Sequence, residues 1–473
     1  MSAAVASVDA TERLCKVLSR HRQSLVSTVP VLEGRLVSQV GLTLVAEGCA
    51  AALGERCQIG RGAQSVEAEV IGFDGDRTLL MPLTTAAAGM SRGARVRPLG
   101  SALDVPTGDA LLGRVIDATG EPVDGRGPLS GCTWASMERA ELEPLERAPV
   151  NQAFDVGVRS INALLTLGRG QRVGLFAGSG VGKSSLLGMM TKHSSAEITV
   201  IALIGERGRE VSDFVRETLG PEGLARSVVI AVPADRPPLA RLRGAWLATA
   251  IAEGFRDAGR DVLLLVDSLT RIAQAQREIG LAGGEPPTVK GYPPSVFSLL
   301  PQYVERAGSL SGRGTITGLY TVLAEGDDQN DPVVDAARAV LDGHIVLSRA
   351  LADAASHPAI DIGASVSRTR TSVTDAATQK RVSRVLKLSA VWRQKEDLVQ
   401  AGLYERGSDA ELDRAMAFQP RLKAFLEQDL AQGVSMDVAM RTLAELADSA
   451  SSPQESAAES VATGTTASAA LAK

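Results

Sequence analysis

Residues 174–185 constrain the fold of this chain more than any other part of its sequence. They read Gly-Leu-Phe-Ala-Gly-Ser-Gly-Val-Gly-Lys-Ser-Ser, so that an apolar run enters a glycine-rich turn and a helix-forming segment follows. Glycines let backbone N–H groups converge on phosphate oxygens, and the start of a helix favours negative charge. This order of strand, turn and helix predicts a phosphate-binding loop (P-loop) within a parallel α/β sheet.

The loop residues predict both a nucleotide and a metal ion. We expect the phosphates to be held by Gly178, Ser179, Gly180, Val181, Gly182, Lys183, Ser184 and Ser185. Lys183 can reach the β- and γ-phosphates, and the hydroxyl of Ser184 can ligate Mg²⁺. The strict motif has glycine where this chain has Ala177, but only a small residue is needed there. The alternative, a glycine-rich turn that binds nothing, is disfavoured by the strand and helix around it. The predicted cofactors are ATP and Mg²⁺.

A second acidic position follows another apolar run. Residues 262–266 are Val-Leu-Leu-Leu-Val, and the carboxylate of Asp267 comes directly after them. The carboxyl ends of parallel strands meet at one edge of a sheet, so we expect Asp267 near the P-loop. There it would hold Mg²⁺ through water.

A third apolar run leads into a cluster of charges. Residues 200–204 precede Gly-Glu-Arg-Gly-Arg-Glu at 205–210. A carboxylate at a strand tip beside the γ-phosphate can polarise the attacking water. On the residues alone, Glu206 and Glu210 are both candidates for this role, and a surface turn with paired charges is a further interpretation.

The periodicity of apolar residues divides the chain into regions. Residues 28–99 carry short alternating strands, with Val66, Ala68 and Val70 on one parity and a hairpin signal at Asp74-Gly75, and they predict a small β-barrel. A second alternating set is Leu32, Leu36, Val40, Leu42 and Leu44. Residues 100–385 alternate strand-like and helical runs, with expected buried strands at 172–177, 199–204, 227–231, 262–267, 316–323 and 343–347.

The C-terminal part is predicted to be helical over residues 386–448. Pro420 is expected to open one helix, whose apolar stripe holds Leu422, Phe425, Leu426 and Leu430. Ser435 is expected to cap the next helix, which turns inward Val438, Leu443 and Leu446. Residues 449–473 predict a disordered tail. The predicted fold class is therefore α/β, with a P-loop core and parallel sheet, a small N-terminal β-barrel and a C-terminal helical domain.

Composition excludes several classes of protein. A chain of 473 residues is long enough for two or three domains, and a net charge of −5 gives no reason to expect nucleic acid as a partner. The cysteines lack metal-ligand spacing and predict reduced thiols at Cys15, Cys49, Cys57 and Cys132. No apolar run is long enough to span a bilayer, so we expect a cytoplasmic protein whose membrane contact is peripheral.

Taken together, these elements resemble the catalytic subunits of rotary ATPases, most closely the flagellum-specific export ATPases of the type III export branch. The P-loop is one of five matching stretches. The others are Leu-Ile-Gly-Glu-Arg-Gly-Arg-Glu-Val at 203–211, Asp-Ser-Leu-Thr-Arg through Ala-Gln-Arg-Glu-Ile at 267–279, Lys-Gly-Tyr-Pro-Pro-Ser-Val-Phe at 290–297, and Leu-Asp-Gly-His-Ile-Val-Leu-Ser-Arg at 341–349. The likeness runs from the barrel to residue 430 and is specific as a set.

The resemblance implies roles for individual residues. The P-loop core is implied to be RecA-like. Glu206 matches the family's catalytic glutamate, with Arg207 beside it in the site, and Lys183 of the P-loop is also catalytic. Arg271 matches an arginine that stays close to that glutamate. Arg368 matches the arginine finger that reaches the nucleotide of a neighbouring subunit, a contribution worth orders of magnitude in rate. A homohexamer is therefore implied, with the loop around Gly291-Tyr292-Pro293 lining its central pore.

Two positions concern the base and its surroundings. The family usually places an aromatic residue against adenine where this chain has His357, in His-Pro-Ala-Ile-Asp. Imidazole offers less stacking area, which predicts relaxed base selectivity, and a solvated or core histidine is the alternative. Tyr320 matches a family tyrosine near the site, and a packed core tyrosine is its alternative.

The implied function is that of an ATP-driven motor of bacterial flagellar protein export. It would help unload export substrates and their chaperones at the membrane export gate, while peripherally associated with the inner membrane. Residues 1–27 are polar and locally basic, and they are either a docking segment for a regulatory stator-like protein or a solvated helix.

Four alternatives stay in view. A virulence-type type III secretion ATPase shares the motifs and differs in genome context. A rotary ATP synthase β-type subunit fits less well at 203–211 and 290–297. An RNA-translocating helicase would need an aromatic or basic platform, whereas the predicted barrel offers Phe73 alone. A silent scaffold subunit is disfavoured by the intact Lys183, Glu206, Asp267 and Arg368.

Overall fold

The computed structural model describes residues 31–62, 65–84, 90–100, 104–137, 143–324 and 331–449. The chain divides into two compact units. One is formed by Met1–Met81 with Ala86–Ser101, and the other by Pro82–Thr85 with Ala102–Lys473. The predicted N-terminal docking segment (1–27), Cys15 and all but Ser449 of the predicted tail (449–473) lie outside the described residues.

The first unit contains a closed six-stranded antiparallel barrel in the order β1-β2-β5-β4-β3-β6. Its strands are β1 Gly34–Val40, β2 Thr43–Glu47, β3 Arg56–Ile59, β4 Val66–Asp74, β5 Arg77–Pro82 and β6 Arg95–Pro98. Inward positions of the strands fill the barrel, as predicted for Val66, Ala68 and Val70. The predicted hairpin at Asp74-Gly75 joins β4 to β5.

The second alternating set of the barrel is only partly inward. Leu36 and Leu44 are buried, but Leu32, Val40 and Leu42 are exposed. The register of β1 against β2 shifts between Leu36 and Ser38, and a one-residue shift sends every later side chain to the opposite face. Val40 follows the shift in β1, whereas Leu42 lies in the turn between β1 and β2 and Leu32 precedes β1, so these three residues do not share the inward face of Leu36 and Leu44.

The second unit is built on a nine-stranded sheet ordered β19-β18-β12-β17-β15-β13-β14-β8, with β16 pairing on β17. The strands from β18 to β8 are parallel, whereas β19 and β16 pair antiparallel with their neighbours. The members are β8 Val115–Ile116, β12 Arg172–Ala177, β13 Ile198–Ile204, β14 Ser227–Val232, β15 Asp261–Asp267, β16 Gly308–Ser309, β17 Thr315–Leu323, β18 Gly343–Val346 and β19 Val366–Ser367. All six predicted strands are present, with ends that differ by no more than one residue. Two small sheets pair β7 Asp104–Thr107 with β9 Thr133–Ser136, and β10 Ala153–Phe154 with β11 Leu167–Gly168.

Helices cover both faces of this sheet and create two apolar cores. They are α1 Arg159–Leu164, α2 Lys183–His193, α3 Gly208–Asp213, α4 Gly220–Ala225, α5 Pro238–Asp257, α6 Leu269–Ala282, α7 Pro294–Glu305, α8 Pro332–Val340, α9 Arg349–Asp353, α10 Arg370–Val373, α11 Ala376–Gln400, α12 Ala410–Leu426 and α13 Met436–Ser449. A π-helical segment, Phe214–Leu219, lies between α3 and α4. The P-loop helix α2 shares one core with α11 to α13, while α5 to α8 form the other. The predicted fold class is confirmed.

The C-terminal helices differ from three expectations. The predicted boundary at 385/386 falls inside α11. Pro420 lies within α12, which begins after Asp409, whose carboxylate accepts from the backbone N–H groups of Glu411 and Leu412. Leu430 is outside the helix and exposed.

The last helix begins directly after Ser435, as predicted, and buries Leu443 and Leu446. Val438, however, is exposed, so its predicted inward position was wrong.

No helix in the described part of the chain combines the length and apolar content needed to cross a membrane. Within the same ranges, Cys49, Cys57 and Cys132 form no disulfide.

Candidate active site

The P-loop connects β12 to α2 and leaves backbone donors open. Gly180 and Gly182 adopt left-handed backbone angles, with φ of 78° and 92°. Gly182 occupies the N-cap of α2, and no side chain caps this helix. The first N–H groups of an uncapped helix need an acceptor, and a phosphate group supplies several. Ser179 and Gly180 at the apex are exposed, so the loop is accessible to a ligand.

Lys183 lies at the centre of a polar cluster at the carboxyl edge of the sheet. Its Nζ is 2.6 Å from Oδ1 of Asp267 and 3.2 Å from Oε1 of Glu206. The hydroxyl of Thr321 donates to the same Asp267 oxygen at 2.6 Å. The sheet explains this convergence, because β15 lies between β13 and β17 and all three strands end beside the P-loop. Thr321 was not singled out by the sequence.

The charges of this cluster are strongly coupled. Burial raises the pKa of Asp267, the nearby Glu206 carboxylate raises it further, and contact with Lys183 only partly offsets this. Burial lowers the pKa of Lys183, but Asp267 and Glu206 raise it by more, so the pKa lies above its ordinary value. One ammonium therefore faces two carboxylates. The excess negative charge suits a cation that arrives with the nucleotide.

Glu206 and Glu210, the two candidates for the catalytic base, lie in different environments. The side chain of Glu206 is 13% exposed and contacts Lys183. The side chain of Glu210 is 51% exposed and pairs with Arg207 at 3.5 Å, away from Lys183. Arg207 itself is 85% exposed, so within this chain it does not enter the cluster.

Arg271 packs against the turn that carries Glu206. A side chain on Gly205, which has a φ of 70°, would stand 2.9 Å from the Cβ of Arg271. The guanidinium of Arg271 donates to Gln274 at 2.8 Å. Gly205 is thus held between the helix α6 and the strand β14, whose Val232 carbonyl accepts from its N–H.

Arg368 lies at the opposite edge of the sheet from Lys183. Its backbone N–H donates to Asp342, whose own N–H donates to Arg172 at the start of β12. The P-loop follows the other end of β12, roughly 17 Å away at the rise of a strand. The Arg368 side chain is exposed, and its weak hydrogen bond to the Arg338 carbonyl is 3.5 Å long.

His357 and Tyr320 are placed differently with respect to the P-loop. His357 is half-buried, and its Nδ1 stands 4.0 Å from the position a Cβ would take on Gly182. Tyr320 is fully buried, with its ring 6.1 Å from that of Tyr303. The Tyr320 ring lies back over Gly318, toward the amino edge of the sheet. This placement does not support the predicted nucleotide contact of Tyr320 and fits the alternative of a core tyrosine.

One further side chain reaches the P-loop without having been predicted. A guanidinium nitrogen of Arg349, the first residue of α9, donates to the Ser179 carbonyl at 3.2 Å. The signal for it was the family-like stretch 341–349, which ends at this residue.

The residues present fit Mg²⁺ bound together with a phosphate. The described residues contain no group of three or more His, Cys, Asp or Glu arranged as a metal site. Mg²⁺ does not need one, because it commonly takes one or two protein oxygens and completes its shell with water and substrate phosphates. The hydroxyl of Ser184 and the carboxylate of Asp267 provide such oxygens next to the phosphate-binding N–H groups.

Comparisons with known proteins agree with this fold. Residues 157–367 match the model of the ATP synthase alpha/beta family, nucleotide-binding domain, and residues 374–445 match the T3SS EscN ATPase C-terminal domain. Flagellum-specific ATP synthases of Pseudomonas aeruginosa and Salmonella typhimurium are 54% and 52% identical over 422 residues each, which is 88% and 87% of this chain and 93% and 92% of theirs. A type 3 secretion system ATPase of Xanthomonas euvesicatoria is 45% identical over 419 residues, 88% of this chain and 94% of its own.

Solved structures show the same relationship. The assembled ATPase EscN of the enteropathogenic E. coli type III secretion system superposes with a TM-score of 0.83 and 41% identity, covering 88% of this chain and all of that chain. EscN in complex with its central stalk EscO gives a TM-score of 0.80 at 40% identity, with the same coverage.

The fold and the site thus define a P-loop nucleotide-binding protein of the ATP synthase alpha/beta class. The high sequence identity to the flagellum-specific ATP synthases, over most of both chains, identifies the family within this class. The resemblance that the sequence motifs suggested is confirmed. The chain belongs to the family of flagellum-specific ATP synthases.

Proposed function

We propose that this chain is the ATP-hydrolysing motor subunit of a bacterial flagellar type III protein export apparatus. The observation that carries this proposal is the position of Lys183, between Glu206 and Asp267 at the end of an open phosphate-binding loop. The names of its relatives support both the nucleotide and the export system.

The proposed chemistry follows from the contacts of the site. Backbone N–H groups of residues 178–185 bind the phosphates, and Lys183 turns from the carboxylates to the phosphate oxygens. Glu206 is then free to accept a proton from the attacking water, a role that its position beside Lys183 supports better than the exposed Glu210. Ser184 and Asp267 would hold Mg²⁺, which supplies positive charge against the phosphate oxygens.

The position of Arg368 supports an oligomeric enzyme. It lies at the edge of the sheet away from its own P-loop, so it cannot serve as the arginine finger of its own site. A finger supplied by a neighbour requires each chain to offer both surfaces, and repetition of such a contact forms a ring when the rotation between neighbouring chains closes. We propose a homohexamer on this basis, with Arg207 also at the shared interface, where its exposed side chain fits.

The proposed partners are those that membership of this family implies. A stalk protein at the ring axis is supported by the structure of the relative EscN with its central stalk. We further propose a stator-like regulator at residues 1–27, export substrates with their chaperones, and a peripheral position at the inner-membrane export gate. A virulence-type secretion system is the second candidate, because the matched structures are of that type. Flagellar or secretion-needle genes beside the coding sequence would distinguish the two systems.

The first test is the steady-state Mg²⁺-ATPase rate of the purified full chain over a series of protein concentrations. We expect the rate per chain to rise steeply as the ring assembles, and Glu206→Ala to be inactive at every concentration. A rate per chain that does not change with concentration contradicts the trans-acting finger. Activity in Glu206→Ala contradicts the assignment of the base.

A further inference from the structure

A cavity of about 630 Å³ lies in the second unit, beside the active site but separate from it. Its walls come from β8, from α3 and the π-helical segment, and from the end of β14. Apolar side chains line its interior, namely Val115, Val211, Val215 and Leu224. Lys183, Glu206 and Asp267 are not among the lining residues. A volume of this size accommodates a small organic molecule.

The rim of this cavity carries positive charge that the described residues do not neutralise. Arg216 and Arg236 line it and are exposed, and neither side chain has a hydrogen bond or ion pair within the described ranges. The side chain of Arg126, which also lines the cavity, makes a single hydrogen bond within the described ranges, from Nη1 to the Gly113 carbonyl at 2.9 Å. These three guanidinium groups leave most of their N–H donors available.

The two carboxylates of the cavity do not balance these arginines. Asp124 is held by Arg114, at 2.7 Å and 3.1 Å, and it also accepts from the backbone N–H of Val115. Asp117 accepts from the backbone and hydroxyl of Thr119 and from the backbone of Glu121, within its own turn. Among the described residues, neither carboxylate forms an ion pair with Arg126, Arg216 or Arg236, so these guanidinium groups are free to pair with an external anion.

We propose that this cavity binds a small amphipathic organic anion. The apolar body would lie against Val115, Val211, Val215 and Leu224, where it is removed from water. A sulfonate, carboxylate or phosphate group would accept from Arg216 and Arg236 in charge-assisted hydrogen bonds. A ligand with both parts fits the cavity better than a ligand with one. A purely apolar molecule would leave the arginines without a partner, and a simple inorganic anion would leave the apolar walls in contact with water.

The bound molecule would touch the backbone that carries Glu206. The loop at one wall is tied to this residue, since the N–H of Ala234 donates to the Glu206 carbonyl at 3.0 Å and the N–H of Gly205 donates to Val232 at 2.8 Å. The π-helical wall also contacts the P-loop helix, because Thr218 fills the space beside Gly188. Occupancy of the cavity is therefore linked to the position of Glu206. This coupling rests on the proposed function, whereas binding itself does not.

The test uses 8-anilinonaphthalene-1-sulfonate (ANS), an aromatic body with one sulfonate, titrated by fluorescence into the nucleotide-free full chain. We expect one saturable site per chain. Arg216→Glu combined with Arg236→Glu should raise the dissociation constant at least about 10-fold, because two charge-assisted hydrogen bonds are lost. Val215→Asp should weaken binding similarly by placing a charge on the apolar wall.

The matched control is Arg209→Glu. Arg209 is 90% exposed on the same α3 but does not line the cavity, so its reversal should leave ANS binding within about 2-fold, as expected for a screened surface charge. An unchanged dissociation constant in the double arginine variant, or equal weakening in Arg209→Glu, would overturn the site. Both arginines are exposed, so the double variant should fold even if Val215→Asp does not.

The coupling is measured separately, as the ATPase rate with and without saturating ANS. We expect the rate of the wild type to change and that of the double arginine variant to stay constant. An equal response in both proteins would overturn the coupling. Failure of the proposed ATPase function would appear as absent activity in every sample, while the ANS titration would still report on the cavity.

Discussion

The ammonium of Lys183 lies 2.6 Å from the carboxylate of Asp267, although 84 residues separate them in the chain. Both groups are nearly buried, with side-chain exposures of 14% and 6%. Each therefore depends on the other for compensation of its charge until a nucleotide takes over the lysine. The same pair thus stabilises the nucleotide-free protein and, in the proposed function, takes part in the chemistry of the site.

Replacing the lysine should expose this dependence. Lys183→Met leaves Asp267 and Glu206 without their cation, and we expect a loss of about 3 to 5 kcal/mol in the free energy of unfolding at pH 8. Burial already raises the pKa of Asp267 in the folded protein. Such a group binds a proton more readily when folded, so its stabilising contribution is complete below its unfolded pKa and disappears as pH rises. The loss should therefore be smaller at pH 5 than at pH 8.

Urea unfolding of the nucleotide-free protein at the two pH values measures this difference. The control is Lys192→Met, which removes an exposed lysine from the same helix and should change stability little at either pH. Equal losses for Lys183→Met at pH 5 and pH 8 would show that the buried carboxylates are not the cause.

The assignment of the catalytic base is tested by a pair of conservative changes. Glu206→Gln should lower kcat by about 10²- to 10⁴-fold, because a positioned base is lost, while nucleotide affinity persists. Glu210→Gln should stay within about 5-fold of the wild type, since Glu210 forms only an exposed pair with Arg207. Phosphate release and binding of a fluorescent ATP analogue provide the two readouts. If Glu210→Gln is the inactive variant, the roles of the two carboxylates must be exchanged.

The proposed role of Arg368 as a finger for the neighbouring chain can be tested by mixing variants. Arg368→Ala should keep nucleotide binding but lose about 10³-fold or more in turnover, as is typical when an arginine finger is removed. Mixed with Glu206→Ala, it should regain activity, because an intact P-loop on one chain then meets an intact finger on the next. With random 1:1 assembly, about a quarter of the interfaces would be complete.

ATPase rates of the mixture, compared with each variant alone, measure the regained activity. Mixing Arg368→Ala with the double variant Glu206→Ala/Arg368→Ala is the matched control and should restore nothing. No gain in the first mixture, despite proven co-assembly, would place the function of Arg368 within its own chain.

The central strands and the P-loop could be predicted because each depends on local sequence. The run 262–266 is apolar throughout, and the structure has it as part of Asp261–Asp267, buried on both faces as parallel strands are. Thr321 could not be found in this way. Its bond to Asp267 depends on β15 and β17 being neighbours in the sheet, and the order of strands is not encoded in any one segment.

Tyr320 and Pro420 show two other limits of local reasoning. The position of Tyr320 in a strand indicates which face its ring occupies, but packing against Tyr303 decides toward which edge the ring leans. Proline is usually found at the start of a helix because it lacks an N–H. The stripe that includes Leu412, Phe418 and Leu422 is buried on both sides of Pro420, and this packing keeps α12 continuous through the proline.

His357 is the residue predicted to lie against the base, and its neighbourhood allows a direct test. Its Nδ1 lies close to Gly182, at the start of the P-loop helix. If the imidazole stacks on the base, His357→Phe should tighten ATP binding by about 3-fold and His357→Ala should weaken it by about 5-fold, within the range of aromatic stacking on a base. The change to phenylalanine should also increase the preference for ATP over GTP.

Dissociation constants of fluorescent ATP and GTP analogues measure these effects, in a Glu206→Gln background that prevents turnover. The matched control is His344→Ala. His344 is also a partly buried histidine, but it packs edge-on against Phe176, with ring centroids 5.7 Å apart, in the strand next to β12. Its loss should affect stability and leave nucleotide affinity unchanged. Unaltered affinities in His357→Ala for both nucleotides would mean that the histidine does not contact the base, and that the relaxed selectivity expected from it has no structural origin at this position.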